Sequence, residues 1–103
     1  MEFDFTALPE QDRYRLLSNF VAPRPIALVT TLSADGVANA APMSFFNVFS
    51  QDPPILILGI QTRPDGTVKD TVANIDASGS FCVNMVDMAL AEAMTVCGIS
   101  YEP

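Results

Sequence analysis

Arg63 and Lys69 lie six residues apart, on either side of the turn-forming Pro64-Asp65-Gly66, in a chain with five basic residues against twelve acidic ones. Thr71 follows two positions later. Arginine offers a planar fork of donors, lysine a point charge and threonine a hydroxyl, a set that suits a phosphate monoester dianion. Thr67 stands at an N-cap position three residues before Asp70, so a helix is expected to begin at Val68. The unpaired N–H groups and positive dipole end of that helix would add to the anion site. The same residues also make an ordinary surface, with Lys69 paired to Asp65 or Asp70 and Arg63 to Asp65, at little energetic value. The charge pattern leaves both readings open.

A second set is polar among apolar strands: Thr30, Thr31, Asn39, Ser44 and Asn47. A planar heteroaromatic ligand with many hydrogen-bonding edges would satisfy them, and so would backbone partners or alternation with solvent. Phe45, Phe46 and Phe49 either line such a pocket or fill a core, and Met85, Met88 and Met94 read as core. Arg24, between two prolines, is either a third ligand cation or a solvated side chain. The chain has no histidine, which removes the usual triad base, the commonest metal ligand and the ordinary pH switch. No catalytic acid, base or metal ligand is therefore assigned. Cys82 and Cys97 are not in a CxxC spacing, and both read as buried thiols.

The elements that must position these residues follow from periodicity. DRYRLLSNFV (12–21) carries Tyr14, Leu17 and Val21 at helical spacing and stops before Pro23 and Pro25. PIALVTTLS and VANAAP flank Asp35-Gly36 and read as a hairpin. MSFFNVFSQ follows, and Asp52-Pro53-Pro54 breaks the chain before the apolar strand ILILGI. TVKDTVANI is expected as a helix with Val68, Val72 and Ile75 inward. Then come a strand, FCVNMV, and a helix, MALAEAMTVC, capped by Asp87 and ended by Gly98. About five strands, with ALV and ILILGI buried on both faces, predict a mainly β fold with helices that curls into a barrel left open on one side.

At 103 residues the chain makes a single domain, 1–103, with half its residues apolar. A net charge of −7 argues against nucleic acid or an anionic membrane as partner. No apolar run reaches the roughly 18 to 20 residues of a membrane span, and the acidic N-terminus MEFDFTALPE is unlike a signal peptide, so a cytoplasmic protein is expected.

RPIALVTTLSADGVANAAPMSFFNVFSQDPPILILGI, RPDGTVKDTVANI and SGSFCVNMVDMALAEAM, in this order and spacing, resemble the flavin reductase-like family, the FMN-binding split-barrel proteins related to flavoredoxin. The resemblance covers roughly residues 12 to 97. It implies a Greek-key split barrel, usually a homodimer, that holds FMN at or near the subunit interface. By it, Arg63, Lys69 and Thr71 would hold the FMN phosphate with help from Ser44. Thr30, Thr31, Leu32 and Asn39 would border the ribityl chain and isoalloxazine, as would Ala41, Phe45, Phe46 and Asn47, largely through backbone groups. NAD(P)H would supply hydride to the flavin, whose chemistry needs no protein nucleophile. The alternative is an FMN-binding electron carrier or a structural module without nicotinamide turnover. Family members run to roughly twice this length, so the barrel is expected to be incomplete here. The chain is then either part of a longer protein or completed by intertwining with another copy.

Overall fold

The computed structural model describes residues 1–98. Three helices flank five strands: α1 (Glu10–Phe20), β1 (Ala27–Leu32), β2 (Ala38–Met43), β3 (Phe46–Gln51), β4 (Pro54–Leu58), α2 (Asp70–Ser78), β5 (Cys82–Met85) and α3 (Ala91–Cys97). All strand pairs are antiparallel, but they form two sheets, one ordered β2-β1-β5 and one made of β3 and β4. The mainly β architecture with helices and an unclosed barrel is as expected among the described residues, but the strands are divided between a three-stranded sheet and a two-stranded ribbon and do not form one curled sheet.

β1 is the centre of the larger sheet because its alternation serves two layers. Ala27, Val29 and Thr31 are buried while Leu28 and Thr30 are half-buried on the other face. Ala27 and Val29 are 0 % exposed and with Met43 form the core. Burying a side chain the size of Val29 contributes about 1.5 to 3 kcal/mol. Ala41, Phe46, Leu58, Ile60 and Val83 pack around it. Phe46 and Leu58 are opposite each other in the β3–β4 register, so the ribbon is rooted in the core at that end.

Beyond its root the ribbon projects. Val48 is 62 % exposed, Phe49 74 % and Ile55, Leu56 and Ile57 between 41 and 51 %, so ILILGI is not the doubly buried strand its composition predicts. Apolarity selects burial only where another element supplies a cover, and no described element lies over this stretch. Total exposed area is 8002 Å², against about 5,700 Å² for a folded monomer of this mass.

The β1–β2 connection shows how the chain turns. Ser33 N–H donates to Val37 O (2.9 Å), Gly36 N–H donates to Ser33 O (2.9 Å), and Gly36 takes φ +79°, a four-residue turn closed by a left-handed glycine. The same five-residue pattern recurs in Arg63–Thr67: Arg63 N–H donates to Thr67 O (2.9 Å), Gly66 N–H to Arg63 O (2.8 Å), and Gly66 has φ +84°.

The helices depart from expectation at their starts. α1 begins two residues early because Pro9, with φ −59°, precedes it in a ready geometry and Glu10 and Asp12 meet the positive end of its dipole. Its apolar side is only partly covered, with Tyr14, Leu17 and Val21 46 to 59 % exposed. α2 begins at Asp70, not Val68, and Val68 is 50 % exposed, so the inward face is Thr71, Val72, Asn74 and Ile75. Asp87 Oδ1 accepts the Leu90 N–H (3.0 Å), but this closes the turn before α3, which starts at Ala91. Cys82 is exposed and Cys97 half-buried, both unpaired, which corrects the expectation of buried thiols.

Candidate functional site

The Arg63–Thr67 turn is built by Asp65. Its carboxylate accepts both the Thr67 N–H (2.9 Å) and the Thr67 Oγ1–H (2.6 Å), and these two bonds, hydroxyl first, hold the Asp65 carboxyl below its ordinary value of 3.8. Thr67 is therefore occupied by the turn and does not cap α2. Lys69 takes the N-cap place with extended φ −72° and ψ 155° and makes no side-chain cap bond. The first intrahelical bond runs from Ala73 N–H to Lys69 O (3.1 Å), leaving the N–H groups of Asp70, Thr71 and Val72 for the start of the helix to offer.

Arg63 is engaged along this loop. Its Nη1 donates to Val68 O and Thr67 Oγ1, and its Nη2 pairs with Asp70 Oδ1 at 3.1 Å, with the two side chains 40 and 72 % exposed. The partner is Asp70 and not the expected Asp65. Such an exposed pair contributes little to stability, but it fixes the loop against the first residue of α2. Lys69 has no carboxylate partner among the described residues.

Lys69 lines a broad cleft of about 1240 Å³ between α1, the β2–β3 corner and the segment after β4. Ser44 and Phe45 come to it from the corner, Gly59, Ile60 and Gln61 from the segment that follows β4, and Arg13 and Tyr14 from α1. Phe45 is the fixed point of this wall. Its ring stacks on Tyr14 (centroids 5.9 Å apart, 26° between planes), and the Arg24 guanidinium carbon lies 5.3 Å from its centroid. Its carbonyl accepts the Gly59 N–H at 2.7 Å. Arg24 Nη1 also donates to Ser18 O (2.6 Å) and Val21 O (2.8 Å), satisfying carbonyls at the end of α1, where the last turn has no basic residue of its own. Arg24 is therefore a half-buried cap of α1 and not a solvated side chain.

A smaller cleft of about 370 Å³ shares Ser44, Phe45 and Gly59 and adds Phe46, Asn47, Phe49 and Arg24. Asn47 is exposed, and its Oδ1 accepts the Val48 N–H at 2.8 Å. The other polar strand residues find partners elsewhere. Thr71 is 2 % exposed and its hydroxyl accepts from Asn39 Nδ2 (3.1 Å); Thr31 is 5 % exposed and accepts from Asn74 Nδ2 (3.0 Å). These two bonds tie α2 to the face of the sheet. Thr30 accepts from Asn84 Nδ2 at 3.2 Å on the opposite face. Leu32, 58 % exposed, ends β1, and Ala41 packs on the core.

Of the expected site residues, then, Ser44, Phe45 and Lys69 share the larger cleft, and Phe46 and Asn47 the smaller. Arg63, six residues before Lys69, and Thr71, two after it, line neither cleft and are held by Asp70 and Asn39. Arg13, Tyr14 and Gln61 line the larger cleft although the sequence patterns did not single them out for it. Arg13 carried one usable signal, as one of only five cations in an acidic chain.

Residues 19–102 match the family model described as a flavin reductase like domain. An uncharacterized protein of Halalkalibacterium halodurans is 45 % identical over 103 residues, all of this chain and 49 % of that one. Among solved structures, the 2-nitrobenzoate 2-nitroreductase of Pseudomonas fluorescens is 40 % identical with a TM-score of 0.85, covering 98 % of this chain and 48 % of its own. Nitrilotriacetate monooxygenase component B of Bacillus cereus is 32 % identical with a TM-score of 0.90, over 100 and 50 %. The chain spans about half the length of the relatives it matches.

Proposed function

Because the chain belongs to the flavin reductase-like family, we propose that it binds FMN in the larger cleft and forms part of an oxidoreductase that draws on NAD(P)H. The observation that carries this reading is the placement of Lys69, which has no carboxylate partner among the described residues, at the N-terminus of α2 on a cleft that also presents Ser44 and Phe45. These residues fit the cofactor: a cation and helix N–H groups for a phosphate, a hydroxyl for a polyol, an aromatic wall for a planar ring. At about 1240 Å³ the cleft exceeds the roughly 300 to 1,000 Å³ of ordinary small-molecule sites.

When bound, the flavin would accept a hydride from the reduced nicotinamide and hand electrons to an acceptor. Lys69 would hold the phosphate end, with Ser44 beside it. Arg63, anchored on Asp70 and Val68 O, would keep the loop that presents Lys69 in one shape. Phe45, clamped by Tyr14 and Arg24, would provide a firm apolar surface and exclude water from one side. A cytoplasmic homodimer belongs to the same reading, supported by the unpaired cysteines and by the exposed apolar ribbon β3–β4. Among the described residues no helix is long and apolar enough to cross a membrane.

The test is an absorption spectrum of the purified chain after addition of FMN and removal of the excess, followed by steady-state oxidation of NADH and NADPH. Retained flavin with nicotinamide turnover is the expected result. Retained flavin without turnover would instead favour an electron carrier, and a folded chain that keeps no flavin would remove the cofactor assignment from this polypeptide.

A further inference from the structure

Three of the five cations are accounted for without the larger cleft. Arg24 caps α1 and lies over Phe45, Arg63 holds the α2 approach, and Arg15 is exposed and lines neither cleft. The remaining two, Lys69 and Arg13, line the same cleft from different elements. Arg13 makes a single long contact, Nη1 to Phe5 O at 3.4 Å, so most of its five N–H donors have no partner among the described residues. Its neighbour Tyr14 stacks on Phe45, which fixes the turn of α1 that carries Arg13 against the cleft. Glu10 is the one acidic residue on the lining and no ion pair joins it to Arg13. The charged residues on the lining, Glu10, Arg13 and Lys69, sum to +1 on a chain of net −7, a local balance that favours an anion.

We propose that Arg13 is a second anion-binding residue of the cleft and takes a phosphate group together with Lys69. Guanidinium can engage two phosphate oxygens at once while the lysine ammonium neutralises a third, a division that neither residue achieves alone. The inference rests on the flavin reading above. The phosphate belongs either to the flavin mononucleotide or to the reduced nicotinamide dinucleotide, and the two sources separate by binding measurements that need no turnover.

The chain and its Arg13→Gln and Arg13→Lys variants are titrated with FMN, with riboflavin, which lacks the phosphate, and with ADP-ribose, which carries the dinucleotide's pyrophosphate without its nicotinamide. Flavin binding is read from fluorescence quenching and ADP-ribose binding by calorimetry, after circular dichroism has established that the variants keep their helices. If the flavin is the source, Arg13→Gln lowers FMN affinity at least about tenfold and leaves riboflavin unchanged, and Arg13→Lys recovers part of the loss. If the dinucleotide is the source, the FMN-to-riboflavin ratio holds and ADP-ribose affinity falls by about the same factor. The proposal is overturned when Arg13→Gln changes neither, or when FMN and riboflavin weaken together, since Arg13 would then only shape α1. A wild-type chain that binds neither flavin and ignores ADP-ribose overturns the flavin reading itself, whereas one that binds FMN and riboflavin equally and ignores ADP-ribose overturns the Arg13 proposal alone.

Discussion

Replacing Thr71 with valine removes one hydroxyl from the middle of the α2–sheet contact and almost nothing else. The side chain is 2 % exposed and its Oγ1 accepts one hydrogen bond, from Asn39 Nδ2 at 3.1 Å. Valine has nearly the same shape, so no cavity opens, and the cost is the lost bond plus the unpaired, half-buried Asn39 amide. That amounts to about 0.5 to 1.5 kcal/mol. With a denaturant dependence of about 1 to 2 kcal/mol per molar in urea, the unfolding midpoint should fall by about 0.25 to 1.5 molar. Thr71→Ser should retain most of the stability. A double-mutant cycle with Asn39→Ala isolates the bond: once Asn39 is truncated, adding Thr71→Val should cost little more, giving a coupling of about 1 kcal/mol. Circular dichroism against urea reads all four proteins. A Thr71→Val midpoint equal to wild type, or strict additivity across the cycle, would refute the assignment of Thr71 to the α2–sheet contact. Flavin affinity of Thr71→Val should stay within about twofold of wild type, because the hydroxyl faces the sheet and only the Thr71 N–H is offered outward.

Lys69→Ala should weaken FMN by about 1.5 to 3 kcal/mol through loss of a charge-assisted phosphate contact, leave riboflavin unaffected and cost little stability; unchanged FMN affinity by fluorescence titration would return Lys69 to the solvated surface. Gly59→Ala would place a Cβ 3.1 Å from Phe45 Cβ, where the backbones are already joined by the Gly59 N–H to Phe45 O bond. Overpacking there should cost about 1 to 3 kcal/mol and lower the melting midpoint by at least about 4 °C, with weaker flavin retention because both clefts share this corner. Asp65 has a folded-state carboxyl held below its unfolded value of 3.8 by the Thr67 hydroxyl and amide, so the turn's support from it is fully present above that pH and is lost as pH falls through the lower folded value. The Thr67 amide resonance, followed by NMR on acidification, should report that loss, and Asp65→Asn should flatten the profile.

Local chemistry made the hairpin β1–β2, the helix around residues 70–78 and the strand at 82–85 legible in the sequence, since alternation and Asp-Gly turns act over a few residues. The start of α2 was not, because two readings competed for Thr67. As an N-cap its hydroxyl would accept a helix N–H; in the turn it donates to Asp65 at 2.6 Å, and a charged acceptor wins over a neutral donor pair. The burial of β4 was misread for a different reason, since ILILGI specifies what it avoids, water, and not what covers it. Lys69, Ser44 and Phe45 were readable as site candidates from type and neighbourhood. Arg13 and Tyr14 were not, because the contact that brings them there, Tyr14 against Phe45, joins segments far apart in the chain.

The five-residue turn that occurs at Ser33–Val37 and again at Arg63–Thr67 closes on its own main chain in both places. Its first two residues differ, serine and alanine in one copy and arginine and proline in the other, over the same main-chain frame, and each copy adds a side-chain bond of its own, Ser33 Oγ accepting the Val37 N–H and Asp65 accepting from Thr67. Such a loop is a portable mounting. Point changes at Arg63 or Pro64 can alter how Lys69 is presented without renegotiating the sheet, so what the protein binds can drift during evolution at a different rate from how it folds.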